Sequence, residues 1–314
     1  MTASLATRRH FLALAAAGMA AACGRPAGAL SGTLFAGDQR GGSRVVMEAA
    51  GSLKDVPYRI EWSEFPNAAP LLEALNAGAI DTGIGGDAAF IFAIGSGASV
   101  KAIGAQKSDG RGPVLVVRQD SPIRGIRDIA GRRIATPRGS ISHNFILAAL
   151  EATGHDYDAV RFAFLSPSDG RAALQSGAVD GWAIWDPNAA IAEREGARVV
   201  AGPADLVPGC SFMFGRDGAI RDKRPLLADY HDRLYAGWRW QGGNPEAYAR
   251  LMHRETRIEE EILLSIARRT HRYPVPITDA LIAEQQKTAD RYHRAGLLAT
   301  AIDVRRGFDA SFGA

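Results

Sequence analysis

Residues 74 to 81 read ALNAGAID, and residues 173 to 180 read ALQSGAVD. Each copy is followed six residues later by a further carboxylate, Asp87 after the first and Asp186 after the second. The copies stand 99 residues apart. That period is too long for a solenoid or propeller, and two copies point to two similar α/β lobes with a cleft between them. In each copy a helical stripe (Leu71, Leu72 and Leu75; then Ala172, Ala173 and Leu174) runs into a glycine, Gly78 or Gly177. Glycine takes the left-handed position that ends a helix. A short apolar strand follows each. After the first strand, Gly83, Gly85 and Gly86 allow a tight turn into Asp87-Ala88-Ala89-Phe90, a helix start with a carboxylate cap. Helix N-terminal amides at a strand's carboxyl end favour anions, and open α/β sheets bind ligands there.

Working outward, Gly32 to Ala36, Tyr58 to Trp62, Ala79 to Ile84, Val100 to Ala105 and Val114 to Val117 read as strands separated by helices. This βαβ pattern predicts a mostly parallel sheet. It restarts at Arg133 to Thr136, Val160 to Leu165 and Val179 to Trp185, with helices at Ser140 to Ala152 and Ser168 to Ser176. Beyond Arg216 the chain turns to amphipathic helices, near Pro225 to Trp240, Pro245 to His253, Ile258 to Arg269 and Ile277 to Ala295. These are expected to pack over the first lobe, with Trp238 and Trp240 serving helix packing. The boundaries that follow are 31–118 plus 214–314 for lobe 1 and 119–213 for lobe 2.

The segment ATPRGSISHNFILAAL, residues 135 to 150, supplies the second candidate site. A strand runs through Pro137 and Gly139 into a helix that opens at Ser140, with Ser142 and His143 in its first turn. Such a turn presents outward amides that hydroxyls can supplement. Ser140 read alone is also a plain helix cap. Paired with Gly86-Asp87-Ala88 in the other lobe, two helix N-termini facing one cleft favour an anionic ligand.

The chain opens TRRHFLALAAAGMAAAC, with Arg8 and Arg9 ahead of an Ala-rich apolar run. This has the form of a twin-arginine export signal over residues 1–29, and its apolar run is short of the roughly 20 residues that span a bilayer. Cys23 after Ala20-Ala21-Ala22 resembles a lipoprotein cleavage site, and Ala27-Gly28-Ala29 offers an ordinary one. Cleavage before Cys23 takes away Arg8 and Arg9 and no carboxylate, which lowers the formal charge of +3 by two, to +1. With Lys and Arg scattered among Asp and Glu, we expect no nucleic-acid partner and no membrane contact of the chain itself beyond a lipid anchor. Cys23 and Cys210 are the two cysteines, so no intramolecular disulfide is expected, and Cys210 reads as a buried small hydrophobe.

Other chemistries fit poorly. Gly83 to Ala88 matches G-x-G-x-x-A but lies well past the first strand and lacks an acid after the next one. Ser211 has no glycine two residues on, so no nucleophile elbow forms. The histidines show no paired metal-ligand spacing. No catalytic residue, cofactor or metal is expected, and the protein is expected to be a monomer.

Three stretches, EFPNAAPLLEALNAGAIDTGIGGDAAFIFA (64 to 93), ATPRGSISHNFILAALEATG (135 to 154) and FLSPSDGRAALQSGAVDGWAIWDP (164 to 187), resemble the aliphatic sulfonate-binding members of the ABC-transporter substrate-binding proteins. The resemblance runs from Gly32 to about Arg216. It implies a type II periplasmic binding fold with two hinge crossings, no catalysis, and delivery of an alkanesulfonate to a permease and its ATPase for sulfur supply. Taurine, nitrate, bicarbonate and a thiamine pyrimidine precursor are the alternative ligands, and an exported enzyme is the alternative outside transport. Carried over by position, the pocket falls at Gln39, Phe65, Gly86, Asp87, Ala88, Gly139, Ser140, Ser142, His143, Trp185 and Asp186. Where the family often has an aromatic before Gln39, this chain has Asp38, and where one often follows WDP it has Asn188. Asp38 and Asp186 either meet a ligand ammonium or cap turns, and Trp185 is either a pocket wall or a core residue.

Overall fold

The computed structural model describes residues 30–39, 42–109, 112–202, 206–207 and 209–313. The twin-arginine motif, both cleavage sites and Cys23 lie outside them. The first half runs β1 (Thr33–Gln39), α1 (Ser43–Ala49), β2 (Arg59–Phe65), α2 (Ala68–Asn76), β3 (Thr82–Gly86), α3 (Asp87–Gly95), β4 (Val100–Ser108), β5 (Val114–Val117) and β6 (Arg133–Thr136). Then come α4 (Ile141–Thr153), β7 (Arg161–Phe164), α5 (Pro167–Ser176), β8 (Gly181–Ile184), α6 (Asn188–Arg194), β9 (Arg198–Ala201) and β10 (Gly209–Arg216). The tail holds α7 (Asp217–Asp222), α8 (Arg224–Gly243), α9 (Pro245–Thr256), α10 (Glu260–Arg269), β11 (Arg272–Val275) and α11 (Asp279–Arg294).

Two sheets result, ordered β11-β4-β10-β3-β1-β2 and β7-β6-β8-β5-β9. In each the central strands are parallel, β1 to β2 and β3 in one and β6 to β7 and β8 in the other. Their carboxyl ends therefore gather on one edge, where the candidate residues sit. The chain crosses between the sheets twice, between Ser108 and Val114 and between Ala201 and Gly209.

Strand pairing shifts both crossings from where the sequence pattern put them. Val114 to Val117 joins the second sheet, antiparallel to β8 and β9, and Gly209 to Arg216 returns to the first sheet, antiparallel to β3 and β4. Strands β9, β10 and β11 were not anticipated, because β9 is half-buried throughout and β11 is only four residues long, Pro274 among them. All four residues of β5 are buried, so a continuous apolar run gave no sign of which sheet it joined.

The repeated helices end as the glycines dictate, with Gly78 and Gly177 both at φ 77. The stripe of the second helix differs from expectation. Ala172 is exposed, and the buried positions of α5 are Gly170 and Leu174. A Cβ on Gly170 would lie 2.6 Å from Trp182 Nε1, so the missing side chain is what admits the fully buried indole.

One apolar cluster packs α8 on the first sheet, through Leu34, Met47, Tyr230, Leu234 and Trp238. A second centres on Phe90, Phe212 and Phe214, takes in Leu281 and Tyr292 of α11, and also includes Leu147 of α4. The tail thus does more than cover the first lobe. Both α10 and α11 reach the second lobe through arginines, Arg269 to Asp186 and Arg291 to Glu151. No described helix is long and apolar enough to cross a membrane.

Candidate ligand cleft

On the first lobe, Gln39 and Phe65 are paired at the carboxyl ends of β1 and β2. The Gln39 Nε2 donates to the Ile84 carbonyl at 2.9 Å, which ties this edge to β3. Gly86 precedes α3 with open space where a Cβ would stand. Asp87 follows, 1 % exposed; its Oδ1 accepts from the Ala88 N–H at 2.7 Å and its Oδ2 has no partner. Burial pushes this carboxyl up to about 7, against the Ala88 amide, which holds it down. Ala88 is buried behind it.

On the second lobe, β6 runs into α4 through Gly139, at φ +69. A Cβ there would lie 2.8 Å from the Phe92 ring of α3, so the two lobes meet at this glycine. Ser140 caps α4, its Oγ accepting from the His143 N–H at 3.2 Å. The amides of Ile141 and Ser142, in the turn that Ser140 opens, have no intrahelical acceptor. Ser140 is half-buried, whereas Ser142 and His143 point inward, 0 % and 1 % exposed. The Gly139 N–H donates to His143 Nδ1 at 3.2 Å, which puts the proton of the neutral ring on Nε2. Burial, with the Arg138 charge second, holds His143 down at about 4.

Helix α11 fastens the two halves. The Tyr292 hydroxyl donates to the Ser140 carbonyl at 3.2 Å, and its ring lies 4.8 Å from Phe92 and 6.3 Å from His143. Arg291 donates to Glu151 and to Asn144 Oδ1, each at 2.8 Å, and Arg294 donates to Glu151 at 2.6 Å. Among the helix-start residues Gly86 and Ser140 are partly open, whereas Asp87, Ala88, Gly139, Ser142 and His143 are buried. Their surroundings in Phe92, Asn144, Gln285, Arg291 and Tyr292 went unnoticed in the sequence; the one available signal was the polar run Gln285, Thr288, Tyr292 at helical spacing.

Two of the acids are engaged by protein. Asp38 Oδ1 accepts from the Ser43 amide and hydroxyl, each at 2.8 Å, and Oδ2 from the Arg44 amide at 3.1 Å, which closes the turn into α1. Asp186, 7 % exposed on its side chain, accepts from Arg269 Nη2 on both oxygens, at 2.9 and 2.8 Å, and from the Ala190 amide. Here too the geometry is that of a cap, with an ion pair added. Trp185 is half-buried against the apolar cluster beneath β8.

Chemically the edge offers amides, a hydroxyl and apolar walls. Among the described residues no group of His, Cys, Asp and Glu could hold a metal ion. Burial, reinforced by the Asp87 charge, pushes the Cys210 thiol far up, away from the thiolate a nucleophile needs.

The model of the NMT1/THI5-like family matches residues 60–246. A protein named as an aliphatic sulfonates-binding protein of Escherichia coli (strain K12) is 32% identical over 283 residues, covering 86% of each chain. The taurine-binding periplasmic protein of the same organism is 29% identical over 143 residues, 46% of this chain and 44% of its own. The crystal structure of the periplasmic aliphatic sulphonate binding protein SsuA from E. coli superposes with a TM-score of 0.80 at 30% identity, covering 88% of this chain and 96% of that one. The alkanesulfonate-binding protein SsuA from Xanthomonas axonopodis pv. citri, bound to MOPS, gives 0.81 at 27%, with 88% and 98% covered. The desulfurization enzyme DSZB shares the fold at 17% identity, with a TM-score of 0.63.

Proposed function

Because this chain belongs to the NMT1/THI5-like family and has the type II periplasmic binding protein fold, we propose that it is the substrate-binding component of an ABC transporter. In this reading its two lobes close on an aliphatic sulfonate and present the closed form to a membrane permease and its ATPase. The observation that carries it is the Ser140-capped start of α4, which Gly139 holds against Phe92 of α3 in the other lobe. Two helix N-termini from two lobes suit an anion, and contacts to both lobes are what a closing ligand needs.

Helix-end charge effects supply at most about 2 kcal/mol each, against about 8 kcal/mol for micromolar binding, so the organic tail contributes as well. Each buried methylene adds about 0.8 kcal/mol. Phe65 and Trp185 are the apolar wall for that tail. Export by the twin-arginine route, either lipidation at Cys23 or removal of Cys23 with the signal, and a monomeric state complete the reading.

Calorimetric titration tests it, with alkanesulfonates of rising chain length, taurine, sulfate, nitrate, bicarbonate and a pyrimidine precursor. Tight sulfonate binding is the expected result. Binding of nitrate, bicarbonate or the pyrimidine alone would keep the transport role and overturn the sulfonate, and turnover of a sulfonate or sulfinate without any partner would point to an enzyme.

A further inference from the structure

Arg138 lies between Pro137 and Gly139, one residue before the glycine that touches Phe92. It is exposed, and among the described residues it forms no ion pair and no hydrogen bond; its guanidinium carbon stands 5.4 Å from the centre of the Phe164 ring. Phe164 ends β7 at the edge of the second sheet, paired with Thr136 at the carboxyl end of β6. It is 42 % exposed, one of three large hydrophobic side chains left open among the described residues. Phe162 and Phe164 lie 5.7 Å apart and 9° from parallel, and the His143 ring meets both edge-on, at 4.7 and 5.1 Å. A flat aromatic platform with a free cation above it thus stands one ring away from the helix start where the anion is placed.

We infer that Arg138 and Phe164 form a flat-ring subsite at the mouth of the cleft, which selects a sulfonate with an aromatic tail over an alkyl one of equal carbon number. This rests on the sulfonate reading above. The backbone under Arg138 is fixed by the Ser140 N–H donating to the Pro137 carbonyl at 3.3 Å and by Gly139 against Phe92, while its side chain has only the Phe164 ring to leave. It can lift to admit a ring between guanidinium and phenyl, an arrangement that gains from stacking and from cation–π attraction together. An alkyl chain gains only the area it buries. The cation also stands close enough to the start of α4 to draw in the sulfonate group.

The test is calorimetric titration of the mature protein, Phe164→Leu and Arg138→Gln with benzenesulfonate and hexanesulfonate. The wild type is expected to bind the arene about 2- to 10-fold more tightly. Phe164→Leu keeps an apolar side chain and is expected to collapse that ratio to about 1, while Arg138→Gln lowers the ratio and weakens both ligands. An arene-to-alkane ratio of 1 in the wild type, or one unmoved by Phe164→Leu, overturns the subsite and leaves the sulfonate reading standing. Silence of the wild type toward every sulfonate overturns both. Circular dichroism melts of the variants separate lost folding from lost recognition, and a folded Phe164→Trp variant that keeps the arene preference guards against an uninformative leucine variant.

Discussion

Asp81 holds Phe35 at both its amide and its carbonyl: the Phe35 N–H donates to Asp81 Oδ2 at 3.0 Å, and the Asp81 N–H donates to the Phe35 carbonyl at 2.7 Å. Asp180 does the same to Arg133 in the second lobe, at 2.8 Å in both directions. The last residue of each repeated octapeptide is therefore a clamp between parallel strands, set where β3 and β8 begin. The first copy carries more. Asp81 is 1 % exposed and also pairs with Arg216 at 2.7 Å and Lys223 at 2.6 Å, whereas Asp180 is half-buried. Removing one partner of a buried ion pair costs about 3–5 kcal/mol, and losing one exposed hydrogen bond about 1 kcal/mol. Asp81→Ala is expected to destabilise by about 3 kcal/mol and Asp180→Ala by about 1, read from urea unfolding midpoints at constant slope. Equal losses would mean that the ion pairs contribute nothing.

Ser140 carries two roles that separate by experiment. As a cap its loss costs about 1 kcal/mol of stability. As a ligand hydroxyl its loss costs a further factor of about 10 in sulfonate affinity, which is the size of one charge-assisted hydrogen bond. Ser140→Ala is thus expected to lower the melting temperature by several degrees and to weaken calorimetric binding at a temperature where the variant is fully folded. A melt that falls with affinity unchanged would confine Ser140 to its cap.

Asp87 and His143 set opposing pH slopes. The folded Asp87 is raised by burial to about 7, so it keeps its proton where the unfolded chain has lost it. Its contribution is fully present below the unfolded value near 4 and is lost as pH rises through about 7. The folded His143 is lowered by burial to about 4. Its contribution is present above the unfolded value near 6.5 and is lost as pH falls toward 4. Between about pH 4 and 6.5 the two slopes cancel, and above that window Asp87 alone tilts stability downward. Asp87→Asn removes one slope. Its stability, followed by urea titration at pH 4.5, 5.5, 6.5 and 7.5, should rise with pH to about 6.5 and then level, while the wild type stays flat and then falls. Parallel profiles for the two proteins would refute the assignment.

The octapeptide repeat and its glycines made the two-lobed α/β architecture legible, because a helix stop followed by a buried strand leaves a local pattern. The start of α4 was legible for the same reason: Ser140 is a cap whose partner, His143, lies three residues on. What stayed hidden depends on partners far along the chain. Asp186 reads as a turn cap or as a partner for a ligand ammonium, and its ion pair with Arg269, 83 residues away, leaves no local sign. His143 and Ser142 read as pocket residues, yet the inward side of the first helical turn buries both. Strand β5 reads as part of the first lobe but joins the second sheet, since four buried apolar residues fit either one.

The Asp186 geometry makes its own prediction. Arg269→Ala leaves a carboxylate with 7 % of its side chain exposed and only the Ala190 amide as partner. Arg269 itself is 30 % exposed, so water relieves part of the loss, and a cost of about 2 kcal/mol is expected. The double variant Arg269→Ala with Asp186→Asn should recover part of it. A double-mutant cycle with no coupling would show that the pair is incidental.

Glu151 governs how the lobes meet. It belongs to α4, yet Arg291 and Arg294 of α11 both donate to it, as does Tyr157. Helix α11 is tied to the first lobe through Glu284 with Lys107 at 2.7 Å and through Gln286 with the Ile302 carbonyl at 2.8 Å. The contact therefore spans the two lobes and stabilises their approach without touching the ligand edge. Glu151→Gln removes the charge and keeps the shape. A loss of about 1 kcal/mol in closure lowers apparent affinity about fivefold, because a ligand that needs the closed form must make up the difference. Small-angle scattering of the ligand-free variant should show a larger radius of gyration, and saturating ligand should return it to the wild-type value. Unchanged scattering together with unchanged affinity would mean that the lobes are held by the Phe92, Leu147 and Tyr292 packing alone.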